Sequence, residues 1–273
     1  MTIALTASTG KVGTALLAQA RELRLPIRAL ARGGEIPFDF TDPATYARAL
    51  DGIRTLVLVS PPLRDQDTRD VALVDAARKA GVIHVVKLSG YRADEAVSRF
   101  SVQHRKCEER LHVSGLGWTF VRPTFFMENI LALATPIASG IYPAPLADAR
   151  MTQVAVDDVA AVLLAVARAP EQHREAIYTL TAPTADRGED IARVLAEAAE
   201  HPVRYVDLAE DALRQDLLRG GHDAWTAEGV VEAYRNVRAG DVATTTDDVR
   251  RVTGRASTDF TTWARHHAAA FRA

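Results

Sequence analysis

The chain of 273 residues has a single cysteine, Cys107, so no disulfide can form within it, and this usage fits a reducing compartment. Cys107 falls in a helical stretch with no second cysteine nearby, which predicts a packing role. No apolar run approaches the length of a membrane-spanning helix. There is no excess of positive charge: 33 Lys and Arg stand against 35 Asp and Glu, for a net charge of −2. That balance gives no electrostatic footprint for nucleic acid or an anionic membrane. H-E-x-x-H, C-x-x-C, Walker A and G-x-S-x-G patterns are all missing. His266-His267 has no third ligand at a suitable spacing, so a helix face is expected there and no metal site. No basic segment followed by a long apolar stretch opens the chain, so no signal peptide is expected and the predicted location is cytoplasmic.

What is present is an ordinary globular composition, 48% hydrophobic and 25% charged, long enough for one large domain with a smaller lobe. The first half alternates strand and helix patterns. Strands are predicted at Ile3 to Thr6, Ile27 to Ala31, Thr55 to Val59, Val82 to Leu88 and Trp118 to Val121. Helices are predicted at Val12 to Glu22, Pro43 to Leu50, Thr68 to Ala80 and Ser101 to Val113, the last turning Val102, Leu111 and Val113 toward the sheet. Repeated strand–helix units with near-continuous Val, Ile and Leu strands predict an α/β fold with a doubly wound parallel sheet. Beyond it, Met151 to Val156, Ile177 to Thr181 and Val203 to Val206 are further strand candidates. Helices are expected at Asp157 to Ala167, Gly188 to Ala199, Ala209 to Arg219, Ala224 to Arg238 and Phe260 to Phe271, with Gly220-Gly221 as a loop or hinge. This predicts a sheet domain over 1–150 and a mostly helical lobe over 151–273, with 151–181 returning elements to the sheet. Asp157-Asp158 is expected to serve as acidic residues favouring a helix start.

The most informative segment is Ile3 to Gly13, an apolar strand, a turn of small residues and then an Ala/Leu-rich helix. That geometry aims a helix N-terminus at a pyrophosphate. Thr9, Gly10, Lys11 and Val12 are the candidate contacts. Gly10 allows close approach and Gly13 allows the helix to pack on the sheet, but Ala7 stands where a tight-turn glycine is usual. A lone G-x-x-G also occurs for packing alone.

Arg32 ends the second strand region, where an acid would favour NAD. Its planar fork suits a 2′-phosphate and so NADP, unless it is only a solvated strand end. Asp39-Phe40 is expected to close a further short strand, with the carboxylate toward an adenine amine and the ring beside it, or else to cap the following turn. Ser60 and Pro61, in Val59-Ser60-Pro61-Pro62, form a loop that can pass over the cofactor. Ser89 and Tyr91, in Leu88-Ser89-Gly90-Tyr91, follow the next strand, where hydroxyls approach a nicotinamide; Tyr91 is a candidate acid or a surface tyrosine. His104 lies on the next helix and is the other candidate catalytic group.

The chain as a whole resembles the NmrA-like family of atypical short-chain dehydrogenases/reductases, near the type 2 NAD(P)H:quinone oxidoreductases. The resemblance rests on Thr9-Gly10-Lys11-Val12-Gly13, Leu58-Val59-Ser60-Pro61-Pro62, the run from Ser114 to Pro123, Phe125-Phe126-Met127-Glu128-Asn129, Val156 to Ala160, Tyr178 to Thr181 and Thr253-Gly254-Arg255. It implies a Rossmann-type fold, NADP as cofactor, and a substrate cleft between the large domain and the C-terminal lobe, with Phe125, Phe126 and Met127 in its apolar wall. Counting back from Ser114-Gly115, His104 falls where related isoflavone-type reductases carry a lysine, and Phe100 where the tyrosine of a Tyr-x-x-x-Lys pair would stand. A histidine there, titrating near neutral pH, is expected to donate a proton or bind the ribose. The resulting expectation is an NADPH-dependent reductase, monomer or homodimer, of a small planar substrate such as a quinone or an aromatic polyketide. The alternatives are an NAD(P)-binding redox sensor without catalysis, or an acid/base enzyme using His104 without hydride transfer.

Overall fold

The structure, a computed structural model, describes residues 2–272. Its strands in chain order are β1 (Ile3–Leu5), β2 (Ile27–Ala29), β3 (Thr55–Leu58), β4 (His84–Leu88), β5 (Gly117–Pro123), β6 (Phe125–Phe126), β7 (Ile141–Ala144), β8 (Gln153–Val154), β9 (Ala176–Leu180) and β10 (Arg204–Asp207). The α-helices are α1 (Lys11–Glu22), α2 (Tyr46–Leu50), α3 (Gln66–Lys79), α4 (Arg99–His112), α5 (Ala134–Ala138), α6 (Val156–Arg168), α7 (Gly188–Ala199), α8 (Glu210–Arg219), α9 (Ala224–Arg238), α10 (Asp248–Thr253) and α11 (Phe260–His266).

The main sheet has the order β2-β1-β3-β4-β5-β9, and the pairs from β2 through β5 are parallel. Every residue of β3, β4 and β5 is buried. Strands covered on both faces need no polar alternation, which explains their continuous apolar runs. On one face Leu56, Leu58, Val85, Trp118 and Phe120 pack with Leu73, Val74 and Ala77 of α3, and with Cys107 and Leu111 of α4. On the other face α6 packs on β3, β4 and β5, and α1 packs on α6. Lying between sheet and α1, α6 is apolar almost all round. Chain order reverses at β1 and β3, the switch point at which such Rossmann-type sheets open a crevice beyond their strand ends.

Contacts divide the chain into two compact units. The first runs to Pro123 and adds Val156–Thr179 and Arg251–Gly254; the second comprises Thr124–Ala155, Leu180–Arg250 and the segment from Arg255. The expected boundary at 150 therefore moves to Pro123. Residues 124–155 join the second unit because β6 pairs with β8 there, and β7 pairs with β10. Within that unit α7 packs on β10 and α11, and Trp263 donates its indole N–H to Glu128 at 3.0 Å.

Three local expectations fail. No strand forms at Asp39-Phe40; only an Ala31–Pro37 bridge does, since Gly33-Gly34 and Pro37 break the ladder. Val102 and Val113 are exposed, and Leu111 alone of the three is buried, because the inward face of α4 runs through Gln103, Cys107, Glu108 and Leu111. The strand expected over Met151 to Val156 shrinks to Gln153–Val154, and Val156 opens α6.

Candidate active site at the strand ends of the first unit

The turn after β1 is tightly built. Ala7 adopts φ +47°, the left-handed region that glycine occupies without strain. The Gly10 amide donates to the Ala7 carbonyl at 3.0 Å. A Cβ added to Gly13 would lie 2.4 Å from that same carbonyl oxygen and 2.8 Å from Ser8 Cα, so α1 starts pressed against the turn backbone. Ser8 Oγ ties the turn to the Leu30 carbonyl beyond β2 at 3.0 Å. Thr6 clamps the end of β1 to that of β3, donating to the Val59 carbonyl at 2.6 Å and accepting from the Val59 amide at 2.9 Å.

The N-cap of α1 is Gly10, no side chain caps it, and its first turn contains no acid. Thr9, Gly10 and Lys11 are exposed, whereas Val12 is buried on the sheet side. A helix N-terminus left without a side-chain cap or an acidic neighbour fits an anion. Arg32, exposed beyond β2, makes no ion pair among the described residues. These features fit the diphosphate and 2′-phosphate of NADP. Replacing Ala7 with glycine should raise stability by about 1 kcal/mol, because relief of the left-handed strain exceeds glycine's extra freedom in the unfolded chain. An unchanged urea midpoint would show the turn to be unstrained.

Other expected contacts are committed elsewhere. Asp39 accepts from the Thr41 amide and hydroxyl, both at 2.8 Å, and these hydrogen bonds hold its carboxyl below the usual range. Asp42, not Asp39, caps the following helical turn through the Ala44 amide. Phe40 packs edge-on to Phe38 at 4.9 Å and lies against the core. The Ser60 hydroxyl donates to Asp70 at 2.5 Å and the Ser89 hydroxyl to Glu108 at 2.6 Å, so neither has its proton free for a ligand. Pro61, next to Ser60, is half-buried, as is Tyr91 in the turn after β4. In the second unit Phe125 and Phe126 are half-buried on β6, with Phe125 5.1 Å from Tyr234. Met127, next to them, is fully buried.

Beneath the strand ends lies a polar network that no local motif announces. Lys87 follows Val85 by two residues on β4 and so faces the α3–α4 layer. Its side chain and that of Asp70 are both completely buried, with Nζ 2.8 Å from Asp70 Oδ2 and 3.1 Å from Ser60 Oγ. Gln66, also buried, donates from Nε2 to Asp70 Oδ2 at 3.4 Å, and the same nitrogen lies 3.4 Å from His104 Nδ1. A second buried group stands beside it. Glu108 receives Arg122 through Nε at 3.0 Å and a terminal nitrogen at 2.5 Å, and the other terminal nitrogen reaches Asp94 at 2.8 Å. Charges so deeply buried persist only when paired in this way. The one sequence signal is a lysine inside the apolar run Val85-Val86-Lys87-Leu88.

His104 stands over this network at the end of β4. A Cβ on Gly90 would lie 2.7 Å from His104 Cδ2 and 3.4 Å from its Nε2, so the missing side chain admits the imidazole against the strand end. Nε2 makes no hydrogen bond among the described residues. Burial, and then the positive charge of Lys87, hold the imidazole well below its ordinary range. The expected titration near neutral pH is thereby corrected: burial and Lys87 disfavour the imidazolium form of His104. Phe100, half-buried, has no proton to give. Among the described residues no group of His, Cys, Asp and Glu could hold a metal ion, and no helix is long and apolar enough to cross a membrane.

Residues 1–238 match the NmrA-like family. The chain is 32% identical to the NAD(P)H azoreductase of Xenophilus azovorans, over 97% of each chain. It is also 32% identical to the (4-alkanoyl-5-oxo-2,5-dihydrofuran-3-yl)methyl phosphate reductase of Streptomyces griseus, over 98% of this chain and 99% of that one. Among solved structures, the NADPH-dependent quinone oxidoreductase QOR2 of Escherichia coli complexed with NADPH superposes with a TM-score of 0.88, at 22% identity, over 97% of this chain and 99% of that one. The strand order, the glycine turn and the two full-length matches converge: this chain belongs to the NmrA-like family.

Proposed function

We propose that the protein is a cytoplasmic NADPH-dependent reductase of a small, planar, electron-poor organic molecule, with a quinone as the type substrate. The observation that carries this reading is the α1 N-terminus, uncapped by any side chain at the β1–β3 switch point, together with Arg32 beyond β2, which makes no ion pair among the described residues. Relatives named as an NAD(P)H azoreductase and a (4-alkanoyl-5-oxo-2,5-dihydrofuran-3-yl)methyl phosphate reductase support the reaction class. A planar, conjugated acceptor is common to azo compounds and quinones.

NADPH, when bound, supplies a hydride. This chain's residues do the rest. The turn from Thr9 to Val12 would hold the diphosphate and Arg32 the 2′-phosphate, and Tyr91, in the turn after β4, would serve the reacting end. His104 donates a hydrogen bond from Nε2 to the oxygen on which charge develops. Reduction of a quinone consumes one hydride and one proton, and the proton comes from water. That division suits a site with Phe100 in place of a phenol, because the charge of a quinone product is delocalised over the ring.

Arg32→Ala tests the cofactor half. It should weaken NADPH by about 1–3 kcal/mol, the range for losing charge-assisted hydrogen bonds, and leave NADH almost unchanged by titration calorimetry. Equal losses for both would make Arg32 structural. Tight NADPH binding with no turnover on any quinone or azo compound would favour a redox sensor instead.

A further inference from the structure

We propose that Gln66 is a positioning residue that fixes which nitrogen of His104 carries the proton, with the buried Lys87–Asp70 pair fixing Gln66 in turn. The inference rests on the reading of His104 given above for its role in turnover, but not for its geometry. Asp70 is wholly buried, and its Oδ2 faces both Lys87 Nζ at 2.8 Å and the Gln66 amide at 3.4 Å. Only the nitrogen end of a carboxamide can face a carboxylate oxygen, since its own oxygen would be repelled. Asp70 thus sets the orientation of the amide. The same NH2 group is then the one 3.4 Å from His104 Nδ1, and that nitrogen must accept. The proton of the neutral imidazole is left on Nε2, the nitrogen beside Gly90 that has no hydrogen-bond partner among the described residues.

Every other charge near the ring is already engaged. Lys87 from β4 is paired with Asp70 from α3; Glu108, one turn along α4, takes Ser89 and Arg122; and Asp94 takes the remaining arm of Arg122. Nothing else in the cluster competes for Nδ1. A chain of fixed donors therefore runs from the sheet core to the strand end, and holds His104 as a hydrogen-bond donor toward any ligand there.

Gln66→Glu inverts the chain. The new side chain, if ionised, can only accept from His104. If protonated, the oxygen standing in the place of Nε2 gives its proton to Asp70 and turns a lone pair to the ring. Either way Nδ1 gains a proton. The experiment uses the full-length protein with 15N-labelled histidine, the His104 signals being assigned by their loss in His104→Phe. In the wild type Nδ1 should resonate in the bare range and Nε2 in the protonated range, and in Gln66→Glu Nδ1 should move to the protonated range. Turnover in Gln66→Glu should fall about tenfold or more at unchanged NADPH affinity, and acquire a pH dependence near neutrality that the wild type lacks. A protonated Nδ1 in the wild type, or a bare one in Gln66→Glu, overturns the proposal. The wild-type spectrum decides even if the variant does not fold. If the tautomers behave as expected while His104→Phe keeps full activity, the positioning stands and the assigned role of His104 falls.

Discussion

Lys87→Met should destabilise the protein by about 3–5 kcal/mol, the usual loss when one partner of a buried ion pair is removed. Methionine matches the length of the lysine stem and fills its space, so little of the loss should come from packing. The cost arises at Asp70, whose fully buried carboxylate would keep only Ser60 and Gln66 as donors. Urea denaturation measures it directly. The double variant Lys87→Met/Asp70→Leu separates charge from shape, since replacing a buried pair by apolar groups is often neutral or stabilising. The double variant should recover most of the loss. If it is as unstable as the single one, the buried charge is not what the fold depends on. The double variant also removes the anchor of Ser60 and Gln66, so it should fold well and still turn over slowly.

How far this site can be read from sequence depends on whether its parts are linked locally. The phosphate turn is a local object: strand, small residues and helix follow one another within Ile3 to Gly13. The helices Gly188–Ala199 and Ala224–Arg238 lie where the sequence places them, because each has a clear amphipathic face and abrupt ends. The same reasoning cannot find β6, two residues long and paired with Gln153–Val154 far along the chain, nor β7, which contains Pro143. It places Asp39 and Phe40 in a strand because it cannot see that Thr41 satisfies the carboxylate and Phe38 covers the ring. The buried network is invisible for the same reason. Lys87 and Asp70 sit on different elements, 17 residues apart, and only the packing of α3 on the sheet brings them together. A charged residue inside an otherwise apolar strand is the one trace that such a pair leaves in sequence. The spacing from Ser114-Gly115 locates His104, but its protonation state follows from burial and from Lys87 beneath it, which that spacing does not encode.

His104→Phe should lower turnover by about 10²–10³, the loss found when one preorganised donor to a developing oxyanion is removed. The effect should fall on kcat, with NADPH affinity little changed, because the phosphate turn and Arg32 lie on other strand ends. A phenyl ring is bulkier than imidazole, and Gly90 leaves it little room. His104→Ala, which adds no bulk, should lose as much, and that agreement separates chemistry from crowding. The pH profile gives an independent check. Burial and Lys87 depress the pKa of the imidazole, so the neutral, donating form is complete above its ordinary value and is lost only as pH falls through the depressed one. Wild-type turnover should therefore stay flat from about pH 6 to 8 and decline toward acid, and the decline due to this group should vanish in both variants. A ketone should suffer more than a quinone, since its alkoxide concentrates on one oxygen the charge that a quinone spreads over a ring. A wild-type profile breaking near the ordinary imidazole value of about pH 6.5 would mean that burial and Lys87 do not hold the ring in its neutral form. Unaltered turnover of quinones and ketones alike would remove His104 from the reaction and leave the network beneath it as a structural support for the cofactor loops.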